Sequence, residues 1–390
     1  MARTVKHEEG IPSEILRGIK TPCHVLDIDA LRSNLEILSD VSRETGASIL
    51  LALKSFAMFE VFPLISKYLS GTSASSLNEA RLGYEKFKGE VHACAPAYAE
   101  EDFKELLKYV DHIVFNSFSQ WRKYRDMIKK SERDIECGIR VNPEHSEVKT
   151  AAYDPCGKYS RLGVTEKEFS TNDLDMINGL HFHALCELNS DALERTLNIF
   201  EKKFGSHIKK MKWVNFGGGH HITRPDYDIN RLCRLILSFS KKYDVKVYIE
   251  PGEAVVLNAG YLVGSVLDIV KNVKDIAILD TSASAHMPDV LEMPYRPVVV
   301  GAEAPGEYPY NYLLAGNTCL AGDVIGEYSF PAPLKEGSKV VFTDMAHYTM
   351  VKNTTFNGVS LPSLAVLDRT SGTINVTRKF GYEDYLSRMG

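Results

Sequence analysis

The sequence predicts an α/β chain: a (β/α)8 barrel of the TIM type followed by a C-terminal, mainly β domain. Three observations carry this. Short apolar runs alternate with amphipathic helical stretches over the first two-thirds of the chain. Eight such runs can be counted, the strand number of a barrel that usually takes about 250 residues. Beyond about residue 262 the helical stretches give out, and apolar runs are separated by Gly and Pro turns instead. A chain of 390 residues is long for one core. The expected division is a barrel over 31–260 and a β domain built from 1–30 and 261–390.

Taken in order, the expected barrel strands are 49–53, 71–75, 91–95, 112–116, 136–141, 179–183, 212–216 and 245–250. Helical stretches fall near 57–69, 77–87, 100–109, 118–130, 165–176, 189–204 and 227–242. Asn189-Ser190-Asp191 stands just before an apolar-periodic run, as an N-cap should. The later β runs are Tyr261–Val270, Ile276–Leu279, Val298–Gly301, Asp323–Phe330 and Lys339–Thr343. The segment Pro22–Asp27 is also strand-like and is expected to join the second domain.

Composition excludes several classes of function. Hydrophobic residues at 44% and charged residues at 25% are ordinary for a globular chain. A formal charge of −5 without Lys/Arg runs argues against nucleic-acid binding. Seven cysteines form no CxxC pair, which fits a reducing cytoplasm. Met1–Glu9 has no apolar core of the signal-peptide kind, and no stretch is apolar enough to span a membrane.

In such a barrel, reactive residues belong where strands end and βα loops begin. Those ends carry Lys54, Arg140, His183, Gly217-Gly218-Gly219 and Glu250. Lys54 closes the apolar run Ile49–Leu53, where an unpartnered buried ammonium costs several kcal/mol. An amine there can act covalently, as a Schiff base with an aldehyde cofactor; the plainer reading is a lysine that snorkels out past the strand. The glycine triplet lets backbone N–H groups close on a phosphate, or is only a flexible turn. His181 and His183 share one face of a strand and offer a metal pair, a ring stacked on a cofactor, or hydrogen-bonded core histidines. His220 and His221 are adjacent, not spaced for one metal, and receive no catalytic role. Glu250 can keep a pyridine nitrogen protonated, or form a structural ion pair. Cys319 alone reads as a small buried residue.

Together these motifs resemble the fold-type-III pyridoxal 5′-phosphate (PLP) enzymes, with an alanine-racemase-like barrel and a C-terminal β domain. The resemblance is to their decarboxylase branch, which includes ornithine/arginine and diaminopimelate decarboxylases. It runs from Thr21 to about residue 380. It rests on Ala52-Leu53-Lys54-Ser55, His181-Phe182-His183, Gly217-Gly218-Gly219, Glu250-Pro251-Gly252, Cys319 with Gly322-Asp323, and Tyr348 through Phe356-Asn357-Gly358. Three departures mark the chain. Glu253 stands where relatives commonly carry a phosphate-binding arginine. Leu320 stands where they carry an acid. Met287–Tyr295 lacks the arginine that diaminopimelate decarboxylases use, and offers Asp289 and Glu292 instead.

The resemblance implies a homodimeric, cytoplasmic lyase of polyamine biosynthesis that decarboxylates a carboxylated triamine. It implies PLP on Lys54, His183 stacked on its ring, Glu250 on its nitrogen, and Arg140, Gly217, Gly218, Gly219 and Tyr348 around it. Without the arginine, phosphate binding leans on the glycines and Tyr348. Cys319 is implied as the acid that returns a proton to Cα, reaching the site across a twofold interface. Arg161 and Asp323 match positions that pair there. Glu253, Asp289 and Asp323 are expected to meet the substrate, and no metal is expected. The alternatives are a diaminopimelate or ornithine decarboxylase, a metal-dependent barrel hydrolase on His181 and His183, and a non-catalytic PLP-binding barrel.

Overall fold

The computed structural model describes residues 10–390; the reading of Met1–Glu9 lies outside them. The described chain forms two compact units, residues up to Ser33 together with Val256–Gly390, and Asn34–Val255. The expected architecture is present: a closed parallel barrel in one unit and a mainly sheet structure in the other.

Strand β1 (Cys23–Asp27) is followed at once by helix Ile28–Thr45, which no sequence expectation covered. Asp27 Oδ1 accepts the N–H groups of Asp29 and Ala30, so β1 ends on the helix's own cap. Leu31, Leu35, Leu38 and Val41 are buried at spacings of three and four, the signal that identifies this helix.

The barrel strands are β2 (Ser48–Ala52), β3 (Gly71–Ala74), β4 (Glu90–Cys94), β5 (His112–Phe115), β6 (Glu136–Arg140), β7 (Ile177–His181), β8 (Trp213–Asn215) and β9 (Lys246–Ile249). Each lies within two residues of its expected bounds. All neighbours are parallel, and β2 pairs with β9 to close the ring. Apolar residues on both faces explain why these strands read as continuous runs. Inside the barrel, Leu50, Val114, Trp213 and Tyr248 pack together. The indole of Trp213 lies over Gly138 and Gly179, where an added Cβ would come within 2.4 and 2.1 Å of it.

Between strands the helices are shorter than expected in places. Leu77–Leu82 passes into a π turn over Gly83–Phe87, and 165–176 holds only the 3-10 turns Glu166–Glu168 and Thr171–Asp173. Ser and Asp side chains compete with the helix there; Ser170 Oγ donates to Asp173 Oδ2 at 2.6 Å.

In the other unit, β10 (Gly260–Asn272) pairs with β1 and β14 (Lys339–Thr343) over its first half and with β11 (Lys274–Leu279) over its second. Strands β12 (Tyr310–Ala315) and β13 (Val324–Phe330) extend one side, β15 (Ser363–Asp368) and β16 (Thr373–Arg378) the other. The expected strand Val298–Gly301 is reduced to one bridge, Val299 to Phe342. Among the described residues no helix is long and apolar enough to cross a membrane.

The Trp213 contact predicts a stability difference. Gly179→Ala should destabilise the chain by about 1–3 kcal/mol, the usual cost of overpacking, whereas Gly18→Ala, with nothing within 4 Å, should leave it nearly unchanged. Urea midpoints of the two variants measure this; equal midpoints would mean the indole yields freely.

Candidate active site

The residues at the C-terminal ends of the barrel strands are joined by one hydrogen-bond network. Asn215, the last residue of β8 and fully buried, donates from Nδ2 to Glu250 Oε1 at 2.7 Å. Its Oδ1 accepts the N–H of Gly217 at 2.8 Å, and Gly217 O accepts the N–H of Glu250 at 2.8 Å. One amide side chain therefore fixes both the glycine turn and the carboxylate. Asn215 was not foreseen; its position directly before Phe216-Gly217, as a buried amide ending a strand, is the signal that marks it.

Glu250 is 8% exposed. Burial opposes its charge, but the approach of His181 and the Asn215 bond outweigh that and hold the carboxyl below its usual range. His181 Nε2 is 3.6 Å from Glu250 Oε2, and among the described residues neither buried ring nitrogen of His181 has a hydrogen-bond partner. Burial keeps that imidazole below its ordinary pKa.

His183 lies two residues past β7 and is partly buried. Its Nδ1 accepts the N–H of Gly218 at 3.0 Å. An acceptor nitrogen carries no proton, so this bond selects the Nε2–H tautomer and fixes the ring plane. Desolvation, then the charges of Lys54 and Arg140, push the ring well below its usual pKa and keep it neutral.

The glycines are required by crowding. A Cβ on Gly217 would lie 2.4 Å from Phe182 O, on Gly218 2.6 Å from Glu250 O, and on Gly219 2.0 Å from Leu185 O. Gly217 and Gly219 also hold φ of +70° and +81°. The N–H groups of Gly219 and His220 have no acceptor among the described residues.

Lys54 differs from expectation. Strand β2 ends at Ala52, Leu53–Ser55 form a turn, and the Lys54 side chain is exposed, not buried at a strand end. It still belongs to this mouth: its charge acts on Glu79, Cys94, His181, His183 and Cys186. Arg140, ending β6, acts on Cys94, His181 and His183. Glu253 opens the short helix Glu253–Val256, with Oε2 3.4 Å from His221 Nε2. The barrel thus brings together Lys54, Arg140, His183, the three glycines, Glu250 and Glu253.

The other predicted residues lie in the sheet unit. Cys319 is exposed on the loop before β13, its N–H donated to Asn357 Oδ1 at 2.7 Å. Tyr348 holds φ of +49°, an uncommon conformation for a bulky residue, and its carbonyl accepts the Lys352 N–H at 2.8 Å. The Lys352 ammonium donates to Asp289 Oδ1 at 2.6 Å and also to Glu292. Asp323 is buried and hydrogen-bonded within the sheet unit. It is 3% exposed, and its carboxylate accepts from Ser282 Oγ, Ser284 N–H, Thr318 N–H and Thr318 Oγ1. Three of these donors meet Oδ2 and one meets Oδ1, and together they organise the Cys319 loop. Arg161 is exposed in the barrel unit, its carbonyl held by Asn116 Nδ2 at 2.8 Å.

Comparison with known proteins decides the family. The model for pyridoxal-dependent decarboxylases with a C-terminal sheet domain matches residues 24–346. The chain belongs to the pyridoxal-dependent decarboxylases. A carboxynorspermidine/carboxyspermidine decarboxylase of Campylobacter jejuni is 48% identical over 95% of this chain and 98% of the relative. A carboxyaminopropylagmatine decarboxylase of Synechocystis is 43% identical over 96% and 97%. The crystal structure of a C. jejuni carboxynorspermidine decarboxylase complexed with norspermidine superposes with a TM-score of 0.89 at 47% identity, covering 95% of this chain and all of that one.

The residues present fit the cofactor this family's name implies. The unaccepted N–H groups beside the glycines suit an anion, the ionised Glu250 suits a protonated ring nitrogen, and the locked His183 offers a flat neutral face. A metal reading fits less well. Glu90, His92 and His112 bring potential ligand atoms within 4.8 Å of one another, but at the N-terminal ends of β4 and β5, away from His181 and His183. The two rings stack at 3.8 Å with planes 14° from parallel, so their in-plane lone pairs run side by side instead of converging.

The neutral imidazoles predict acid sensitivity. Burial pushes His24 and His112 down to about 3 and His220 and His286 to about 4, and lowers His181 and His183. Below about pH 6.5 the unfolded chain binds protons that the fold refuses, so stability falls as pH drops. Each such histidine adds a slope of up to about 1.4 kcal/mol per pH unit. Urea midpoints should decline steeply from pH 7 to pH 5; a flat profile would contradict the buried neutral rings.

Proposed function

We propose that this decarboxylase acts on carboxynorspermidine and carboxyspermidine, giving norspermidine or spermidine and CO2, with PLP as cofactor. The substrate reading rests on the near-full-length similarity to the C. jejuni enzyme of that name. The chemistry rests on one observation above all, the buried and ionised Glu250 at the mouth of the barrel.

PLP when bound supplies an electron sink for the pair left behind by CO2. Around it the chain's own groups have separable tasks. Lys54 Nζ would be the amine that holds the cofactor covalently. Glu250 holds a proton on the pyridine nitrogen, which its low pKa and fixed Oε1 suit it to do. His183, locked by Gly218, presents a neutral ring face and takes no proton from the reaction. Gly217, Gly218, Gly219 and Tyr348 hold the phosphate, and Arg140 adds positive charge beside it. Cys319, exposed on the loop before β13, would return a proton to Cα. It does so across a twofold dimer interface in which each subunit completes the other's site.

A carboxylated triamine carries ammonium groups beyond its reacting carbon, and each needs an acceptor once desolvated. Glu253 is already at the mouth. Asp289 and Glu292, both ion-paired with Lys352, are the acids proposed to meet a further amine. A second reading, activity on carboxyaminopropylagmatine, draws on the Synechocystis relative.

Three outcomes are expected. Glu250→Gln should lower kcat by roughly tenfold or more with little change in KM, since one pKa unit of lost pairing is about 1.4 kcal/mol; an unchanged kcat would remove Glu250 from the chemistry. Mixing Lys54→Ala and Cys319→Ala chains, each inactive alone, should restore activity through hybrid dimers; verified exchange without recovery would overturn the shared site. Offered carboxynorspermidine, carboxyspermidine, carboxyaminopropylagmatine, diaminopimelate and ornithine side by side, the enzyme should have its highest kcat/KM on one of the first two. A preference for the third would transfer the reading to the Synechocystis activity, and a preference for either of the last two would leave only the decarboxylase class.

A further inference from the structure

We propose that Lys352 is a specificity-determining residue, an internal stand-in for the substrate's distal ammonium; this rests on the polyamine reading above. Its own ammonium sits on an acid pair and yields only to a ligand that brings another. Asp289 and Glu292 begin and end the single turn Asp289–Glu292, three residues apart and so on one side of it. Lys352 Nζ, from a distant loop of the same sheet unit, donates to Asp289 Oδ1 at 2.6 Å and to Glu292 Oε2 at 2.5 Å. What the two acids hold is therefore a primary ammonium on a chain of methylenes, the same group that ends a triamine. Desolvation opposes that charge, but Asp289 and then Glu292 raise the lysine above its ordinary pKa, so the seat keeps an amine protonated.

The lysine head can leave without its loop moving. The backbone there is fixed separately, with Lys352 N–H donating to Tyr348 O at 2.8 Å and Thr354 N–H to Ala285 O at 2.8 Å. Water reaches all three side chains: Lys352 is 31% exposed, Asp289 21% and Glu292 56%. Pairs so exposed add little to stability, so exchanging the partner disturbs the fold little. The lysine stem is flexible and its head a compact charge, as exchange requires. Substrate ammonium for lysine ammonium conserves both charge and hydrogen bonds at the acids. A neutral or acidic group in that place takes the cation from two carboxylates and returns none. Lys352 thus opposes every ligand, and only a distal ammonium recovers what its displacement loses.

The test measures norspermidine binding to the PLP-loaded protein by calorimetry, for the wild type and for Lys352→Met, Lys352→Ala and Lys352→Arg. With the resident amine gone, Lys352→Met and Lys352→Ala should bind norspermidine more tightly, on the order of tenfold. Lys352→Arg keeps a cation on the acids and should stay close to the wild type. Cofactor absorbance like that of the wild type certifies the fold of each variant. Unchanged affinity in the first two variants would mean that lysine and ligand do not share the acids, and weaker binding would make Lys352 a brace for them. Either result overturns the proposal, as does loss of the fold in both. A wild type that binds no norspermidine would instead overturn the polyamine reading on its own.

Discussion

The N–H of Gly218 donating to His183 Nδ1 is the contact on which the rest of the site depends. It exists only because residues 217–219 carry no side chains. Any Cβ in the triplet would collide with Phe182, Leu185 or Glu250 backbone atoms, and two of the three residues need a left-handed φ. The ends of β7, β8 and β9 are thereby drawn to hydrogen-bond distance. Asn215 completes the arrangement by serving the turn with its oxygen and Glu250 with its nitrogen. Packing at the level of a missing methyl group thus sets the tautomer of one residue and the orientation of another.

The electrostatics follow from that geometry. Burial disfavours every charge at the mouth, and the residues answer differently according to their partners. Glu250 keeps its charge because Asn215 and His181 are positioned to stabilise it. His183 gives its charge up because it is desolvated, two cations are close and its Nδ1 partner is itself a donor. A buried anion and a neutral ring within one network are complementary requirements of the proposed chemistry: one group must hold a proton on a cofactor atom, and the other must not compete for it. The same separation of charge states exposes the enzyme to acid, since each neutral imidazole draws the unfolded chain forward as protons become available.

How much of this was legible in the sequence depends on whether the signal was local. The eight barrel strands were legible because both faces are buried and the apolar runs stand out. The mouth residues were legible because the fold assigns reactive groups to strand ends. Helix Ile28–Thr45 had a clear apolar period at Leu31, Leu35, Leu38 and Val41 but follows β1 without a turn, so no break announced it. Strand Tyr310–Ala315 begins with exposed residues, which hid its pairing with β11 and β13. The helix expected over 165–176 failed because Ser, Thr, Asn and Asp prefer their own turns. Lys54 follows the outward alternative: two residues past the last paired strand residue, its side chain is free to turn outward. The hydrogen bonds of Asp323 were not legible because its donors come from residues as far apart as Ser282 and Thr318, and no sequence spacing reveals that. Asn215 and the pairing of His221 with Glu253 are likewise tertiary facts.

The central claim is that backbone geometry holds His183 as the neutral Nε2–H tautomer. Nitrogen-15 NMR of the histidine-labelled protein measures this directly, with His183→Asn used to assign the signals. At pH 7 the account predicts a proton on Nε2 and none on Nδ1, persisting well below pH 6.5. A proton on Nδ1, or a doubly protonated ring at neutral pH, would contradict it.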